Sequence, residues 1–150
     1  RQRMKEVSIY IVTGIKGRWQ QDGHIGYALE YYKEYSKYPA VIREVVPVQQ
    51  MNENRSTLEA LIQALHRMKE KCILTVYTES KYLYSGYEDT EYVKRWKQND
   101  WTRSDGHEIK NRDKWQELDR LMQGNLIRIL LNERNAYTES LREEIKIKER

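Results

Sequence analysis

The sequence contains no phenylalanine, one cysteine, two prolines and seven glycines. A single thiol, Cys72, excludes an internal disulfide, and its place at the head of an apolar segment suits a small buried side chain. A reducing, cytoplasmic setting is the expectation. No apolar run approaches the roughly 20 residues of a membrane span, so no membrane partner is expected. The basic opening "RQRMKEV" passes directly into a strand pattern, without the apolar stretch and small-residue cleavage site that direct export. His24, His66 and His107 lie in separate elements without cysteine or aspartate at zinc-binding spacing. "GIKGRW" has two glycines but neither the Lys-Ser/Thr of a phosphate loop nor a dinucleotide-binding context. Linkers, internal repeats and low-complexity segments are absent as well.

What is present fits one domain over residues 1–150, with 39% hydrophobic and 33% charged residues. The formal net charge of +4 favours polyanionic partners only mildly. "VSIYIVT" (7–13), "HIGYALEYYKEY" (24–35) and "YPAVIREVVPVQQ" (38–50) read as three successive strands. Pro39 and Pro47 place the third at a sheet edge or beside a bulge. Leu58, Leu61, Ile62, Leu65 and Met68 recur at helical spacing, with Asn54 or Ser56 as candidate caps. "CILTVYT" (72–78) is a nearly continuous apolar run, as in a strand buried on both faces and reached by a parallel crossover. Ser80 caps a short helix; "DTEYVKRWKQ" and "NRDKWQELDRLMQG" predict two more, the second closed by Gly124. "NLIRILL" is a fifth strand and "AYTESLREEIKIKER" a terminal charged helix. The order βββαβαααβα describes a mixed α/β domain.

Several segments carry a resemblance that spans nearly the whole chain. "KEKCILTVYTESKYLYSG" follows the helix, strand and T-D-S turn of type I bacterial ribonuclease H domains without a gap. "YVKRWKQNDW" and "EIKNRDKWQELDRLM" keep that family's tryptophan-rich basic segment and its K-N-x-D-x-W pattern, while "ENRSTLEALIQAL" resembles its T-N-N-R-x-E-L helix start. The resemblance implies a ribonuclease H-like five-stranded mixed sheet, with three antiparallel strands followed by parallel additions and flanked by helices. It also implies cleavage of RNA in RNA–DNA hybrids by two Mg²⁺ ions about 4 Å apart, held by four carboxylates.

At those four positions the chain departs from the family pattern. Val12 stands at the first, at the end of the first strand, and Thr57 at the second, on the first long helix. Glu59 is no substitute, because two helical residues turn it by about 200° away. Glu79 keeps a carboxylate at the third position, and the fourth falls on Arg142, Glu143 or Glu144, depending on where a gap is placed. A loop histidine corresponding to the family's has no counterpart. The expectation is therefore a catalytically inactive domain without a resident cofactor. Glu79 is the one weak metal candidate, and Mg²⁺ or Mn²⁺ enters only if an active hybrid ribonuclease with a non-standard site survives.

The segment matching the family's basic protrusion places Lys94, Arg95, Lys97 and Arg103 around Trp96 and Trp101. Cations neutralise phosphates and aromatic faces stack on sugars or bases, so nucleic acid, either RNA–DNA hybrid or duplex RNA, is the expected partner. Both tryptophans would equally pack the segment against its own loop. Asn54 and Arg55 match a turn that in the family reaches the hybrid's minor groove, and helix capping is the plainer role for Asn52 and Asn54, which flank Glu53. The 12 tyrosines include Tyr27, Tyr31, Tyr32, Tyr35 and Tyr38, crowded around the second strand. A protein-interaction module, or a homodimer formed through a tyrosine-rich sheet face, is the competing expectation.

Overall fold

In a computed structural model, which describes residues 4–150, five strands and five helices follow the expected order. The strands are β1 (Lys5–Thr13), β2 (Gln21–Tyr31), β3 (Ala40–Met51), β4 (Cys72–Thr78) and β5 (Leu126–Leu131). The helices are α1 (Glu53–His66), α2 (Lys81–Tyr87), α3 (Tyr92–Gln98), α4 (Arg112–Met122) and α5 (Thr138–Lys148). The sheet runs β3-β2-β1-β4-β5, antiparallel across β3, β2 and β1 and parallel across β1, β4 and β5. This is the ribonuclease H-like mixed sheet that the resemblance implies. The edge place of β3 explains how it tolerates Pro47, whose missing N–H costs no ladder bond on its open side.

Alternation along β1 divides the core. Val7, Ile9 and Ile11 face the larger apolar cluster under α1 and α4, and Tyr10 and Val12 face a smaller one under α5. The larger cluster contains Leu58, Leu61 and Leu65 from α1 and Leu118 from α4. Burying each such leucine contributes roughly 1.5–3 kcal/mol relative to exposure. Trp115 is its largest fully buried side chain, and its indole N–H donates to the Tyr82 hydroxyl at 3.0 Å. A Cβ on Gly86 would lie 2.5 Å from the Trp115 ring, so glycine is required where α2 crosses that indole.

Three expectations need correction. Of the capping candidates Asn52, Asn54 and Ser56, it is Asn52 that caps α1, its side-chain oxygen accepting from the Arg55 N–H at 2.9 Å; Asn54 is exposed on the first turn, and Ser56 is buried with its hydroxyl on Thr13 at 2.6 Å. β4 is buried on one face only, because α5 leaves Ile73, Thr75 and Tyr77 half-covered. β2 begins at Gln21 and ends at Tyr31, since the polar run after it, followed by Pro39, forms the connection to β3. The five tyrosines consequently share no sheet face. Tyr27 is buried and Tyr31 half-buried, whereas Tyr32, Tyr35 and Tyr38 are exposed on that connection. No helix among the described residues is long and apolar enough to cross a membrane.

Candidate functional site

Parallel β1 and β4 end side by side, and the first turn of α1 and the α5 helix close in on those ends. Between them lies a cavity of about 210 Å³ lined by Val12, Lys16, Glu53, Thr57, Glu79 and Arg142, together with Thr13 and Ser80. Val12, Thr57 and Glu79, three positions where the resemblance asks for an acid, thus converge in space with Arg142, one of the three candidates for the fourth. Two of them carry no charge. Val12 is buried in the small cluster with Leu141 and Ile145, and the Thr57 hydroxyl donates to the Glu53 carbonyl at 2.9 Å.

Glu79 and Arg142 form an ion pair. α5 enters with Leu141 and Ile145 packed beneath it, which fixes its rotation and carries Arg142 into the cavity. Glu143 turns out to Lys146 at 3.3 Å and Glu144 to Arg43 at 3.1 Å. The Arg142 guanidinium donates through one nitrogen to Glu79 and through another to Glu139. Partial burial opposes its charge, but the bonds to the two carboxylates outweigh it and raise its pKa above the usual arginine value.

These residues do not fit a pair of divalent cations. Hard cations want several converging oxygens, and each of two neighbouring ions needs its own share. Glu79 is engaged by a guanidinium, Val12 offers no oxygen, and Glu53 accepts from the Gly17 N–H at 2.9 Å. Among the described residues no group of three or more His, Cys, Asp or Glu side chains could hold a metal ion. A guanidinium fixed in the cavity also repels any cation that approaches.

The tryptophan-rich segment packs beside α2 and meets α4 through Trp96 on Trp115 and Lys97 on Asp119. Val93 is buried and Trp96 half-buried, with its ring stacked on Tyr92 at 5.8 Å, tilted against Trp101 at 6.4 Å and edge-on to Trp115 at 5.6 Å. Both tryptophans therefore pack the segment onto the core while keeping part of each ring accessible. Lys94, Arg95, Lys97 and Arg103 are all exposed. Acids temper three of them: Glu91 lies 3.7 Å from Lys94, Asp119 3.1 Å from Lys97 and Asp105 2.6 Å from Arg103. Arg95 sits over the Tyr92 ring at 5.9 Å.

Arg55 has a structural task. Its guanidinium grips both oxygens of Asp113, at 3.0 and 2.7 Å, and reaches Asn111 at 3.2 Å, clamping the start of α1 to the start of α4. Asn54, beside it, is exposed and takes no part in that clamp. The histidines remain separate, with His24 on Glu149 and His66 on Glu117, while the His107 N–H bonds Asp105. Sequence reasoning missed Lys16 and Glu53 as cavity residues. Lys16 belongs to "GIKGRW", a segment that only its return beside α1 brings to the cavity, through the Glu53 N–H bond to the Gly17 carbonyl at 3.0 Å.

The family model for RNase H matches residues 4–130, which leaves α5 and Arg142 outside the matched span. The chain is 36% identical over 125 residues to a ribonuclease H of Acetivibrio thermocellus, covering 83% of this chain and 80% of that protein. It is 40% identical over 78 residues to ribonuclease HI of Haemophilus influenzae, covering 52% and 49% respectively. In three dimensions it resembles LC9-RNase H1, described as a type 1 RNase H with the type 2 active-site motif, at a TM-score of 0.76 and 21% identity over 98% of this chain and 71% of that one. LC11-RNase H1, solved in complex with an RNA/DNA hybrid, aligns at a TM-score of 0.59 and 15% identity, covering 96% of this chain and 99% of that one.

Proposed function

The chain belongs to the ribonuclease H family, and from that premise we propose that it is a nucleic-acid-binding domain that holds RNA–DNA hybrid without cleaving it. The observation that carries the reading is the Glu79–Arg142 ion pair in a cavity where Val12 and Thr57 stand at two further positions that the family pattern gives to acids. Catalysis by two metal ions needs carboxylates that attract the ions and place them on both sides of the scissile phosphate. Here one carboxylate remains at those positions, and an internal cation already neutralises it.

Support for retained binding comes from the exposed cations and partly accessible tryptophans of the α3 segment. The hybrid is the preferred ligand class because a structural neighbour, LC11-RNase H1, was solved with one. Duplex RNA remains a comparison ligand, and Asn54 is an exposed polar group available to either. A second reading, a metal-dependent hybrid ribonuclease with a non-standard site, is favoured by one observation: the relatives are themselves named ribonuclease H.

Fluorescence anisotropy with a labelled hybrid at two salt concentrations tests the binding. A surface that neutralises about four phosphates should bind roughly a hundredfold more weakly at about 200 mM salt than at about 50 mM. Changing Lys94, Arg95, Lys97 and Arg103 together to glutamine should flatten that dependence. Affinity indifferent to both salt and these substitutions would remove the α3 segment from the account and turn the search toward protein partners.

A further inference from the structure

The same cavity suggests what replaced the metals, and the inference rests on the hybrid-binding reading above. We propose that the cavity is a metal-free seat for one backbone phosphate of the bound nucleic acid, with the Arg142 guanidinium and the Lys16 ammonium in place of divalent cations. Glu79 is the resident counter-anion that the phosphate displaces.

Charge at the four converging positions makes the case. Four carboxylates repel a phosphate unless metal ions intervene. Val12, Thr57, Glu79 and Arg142 together carry no net charge, so the phosphate needs no ion to enter. Arginine is the appropriate residue, because its planar fork matches two phosphate oxygens and its charge persists at every working pH. The side chain is 25% exposed, shielded enough for its interactions to exceed those of a freely solvated cation. Buried Leu141 and Ile145 hold α5 against the sheet, so the guanidinium is presented from a fixed base. Lys16 reaches the same cavity from the β1–β2 connection, which the Gly17–Glu53 bonds pin to α1.

The acids present decide which partner exchanges. Glu53 is drawn toward the Gly17 N–H, and Glu139 holds Arg142 from outside the cavity, one helical turn away. Glu79 lines the cavity itself and is 45% exposed, so it can swing into water when a phosphate takes its place on the guanidinium.

The test measures anisotropy of a labelled hybrid with the full chain, in EDTA and in Mg²⁺ at constant ionic strength. Wild-type affinity should be the same in both. Glu79→Gln removes the counter-anion inside the cavity, leaving the guanidinium held only by Glu139 outside it, and should tighten binding about fivefold. Arg142→Gln removes it and should weaken binding about tenfold, with the salt slope reduced by about one phosphate. Arg142→Lys, which keeps charge without the fork, should fall between wild type and Arg142→Gln; it also covers the case in which the glutamine variant melts early in a circular-dichroism control. The opposite signs are the discriminating feature, because an ion pair that served only folding would leave hybrid affinity unmoved in both variants. Unchanged affinity in both, with binding still abolished on removing the α3 cations, overturns the phosphate seat and leaves the hybrid-binding reading standing. Binding that requires Mg²⁺ also overturns it. A wild-type chain that binds no hybrid in either buffer overturns both.

Discussion

The two faces of the sheet differ in what packs against them. Beneath α1 and α4 the large cluster keeps a continuous packing of aliphatic side chains around Trp115, and the segments that build it are those whose spacing most resembles the family pattern. Beneath α5 the cluster is small, made of Tyr10, Val12, Ala28, Val45, Leu141 and Ile145, and through Val12 it borders the cavity. Val12 is therefore a packing residue of that second cluster as well as a lining residue of the cavity. The cavity sits at the strand ends where the two faces meet, with Thr57 reaching it from α1 on the large-cluster side and Val12 and Arg142 from the α5 side.

Substitutions on the two faces should separate these roles. The largest effect is expected from Trp115→Ala, which empties the main core and leaves the Tyr82 hydroxyl without its indole donor; about 3–5 kcal/mol of stability should be lost in urea unfolding. Val12→Asp comes next, at about 2 kcal/mol, because it sets a carboxyl against Leu141 and Ile145, a loss of apolar packing that Lys16 and Arg142 in the adjoining cavity offset only in part. Should Val12→Asp unfold at the wild-type urea midpoint, the α5 side would be no true core, and the contrast between the faces would fail.

The smallest effect concerns the Arg55–Asp113 clamp. Hydrogen bonds from Arg55 hold the Asp113 carboxyl below the ordinary aspartate pKa. A depressed pKa means that the unfolded chain takes up the proton first as pH falls. The clamp's contribution is therefore complete above about pH 4 and disappears as pH drops through the lower folded value. Asp113 is 64% exposed, so solvent screening limits the effect to under about 1 kcal/mol. Asp113→Asn should lower the urea midpoint slightly at about pH 7 and leave it nearly unchanged well below the ordinary aspartate pKa, at about pH 2. An equal loss at both pH values would assign Asp113 to packing instead.

Periodicity made the sheet legible. The three-strand meander, the long first helix and the parallel strand after it follow from alternation of two and spacing near 3.6. Path and phase were less visible. Asn52, Asn54 and Ser56 all have capping side chains, and only the exit of the chain from β3 selects Asn52. Tyr32, Tyr35 and Tyr38 read as strand because tyrosine suits strands, yet Pro39 and the lysines between them favour the exposed connection. Arg142 was one of three neighbours. Each residue turns a helix by about 100°, so a single gap changes which side chain enters the cavity. Leu141 and Ile145, four apart, are the apolar pair that sets the phase of α5, and reading them as its inward stripe would have pointed to Arg142.

The central claim is that the cavity binds without cutting, and a single-turnover assay tests it most directly. The full chain, in excess over a hybrid labelled on its RNA strand, is incubated with Mg²⁺ and separately with Mn²⁺ while the bound fraction is followed in parallel. The account predicts a saturated complex and an intact RNA strand over hours. RNA cleavage that requires either metal and disappears in Glu79→Gln would contradict it.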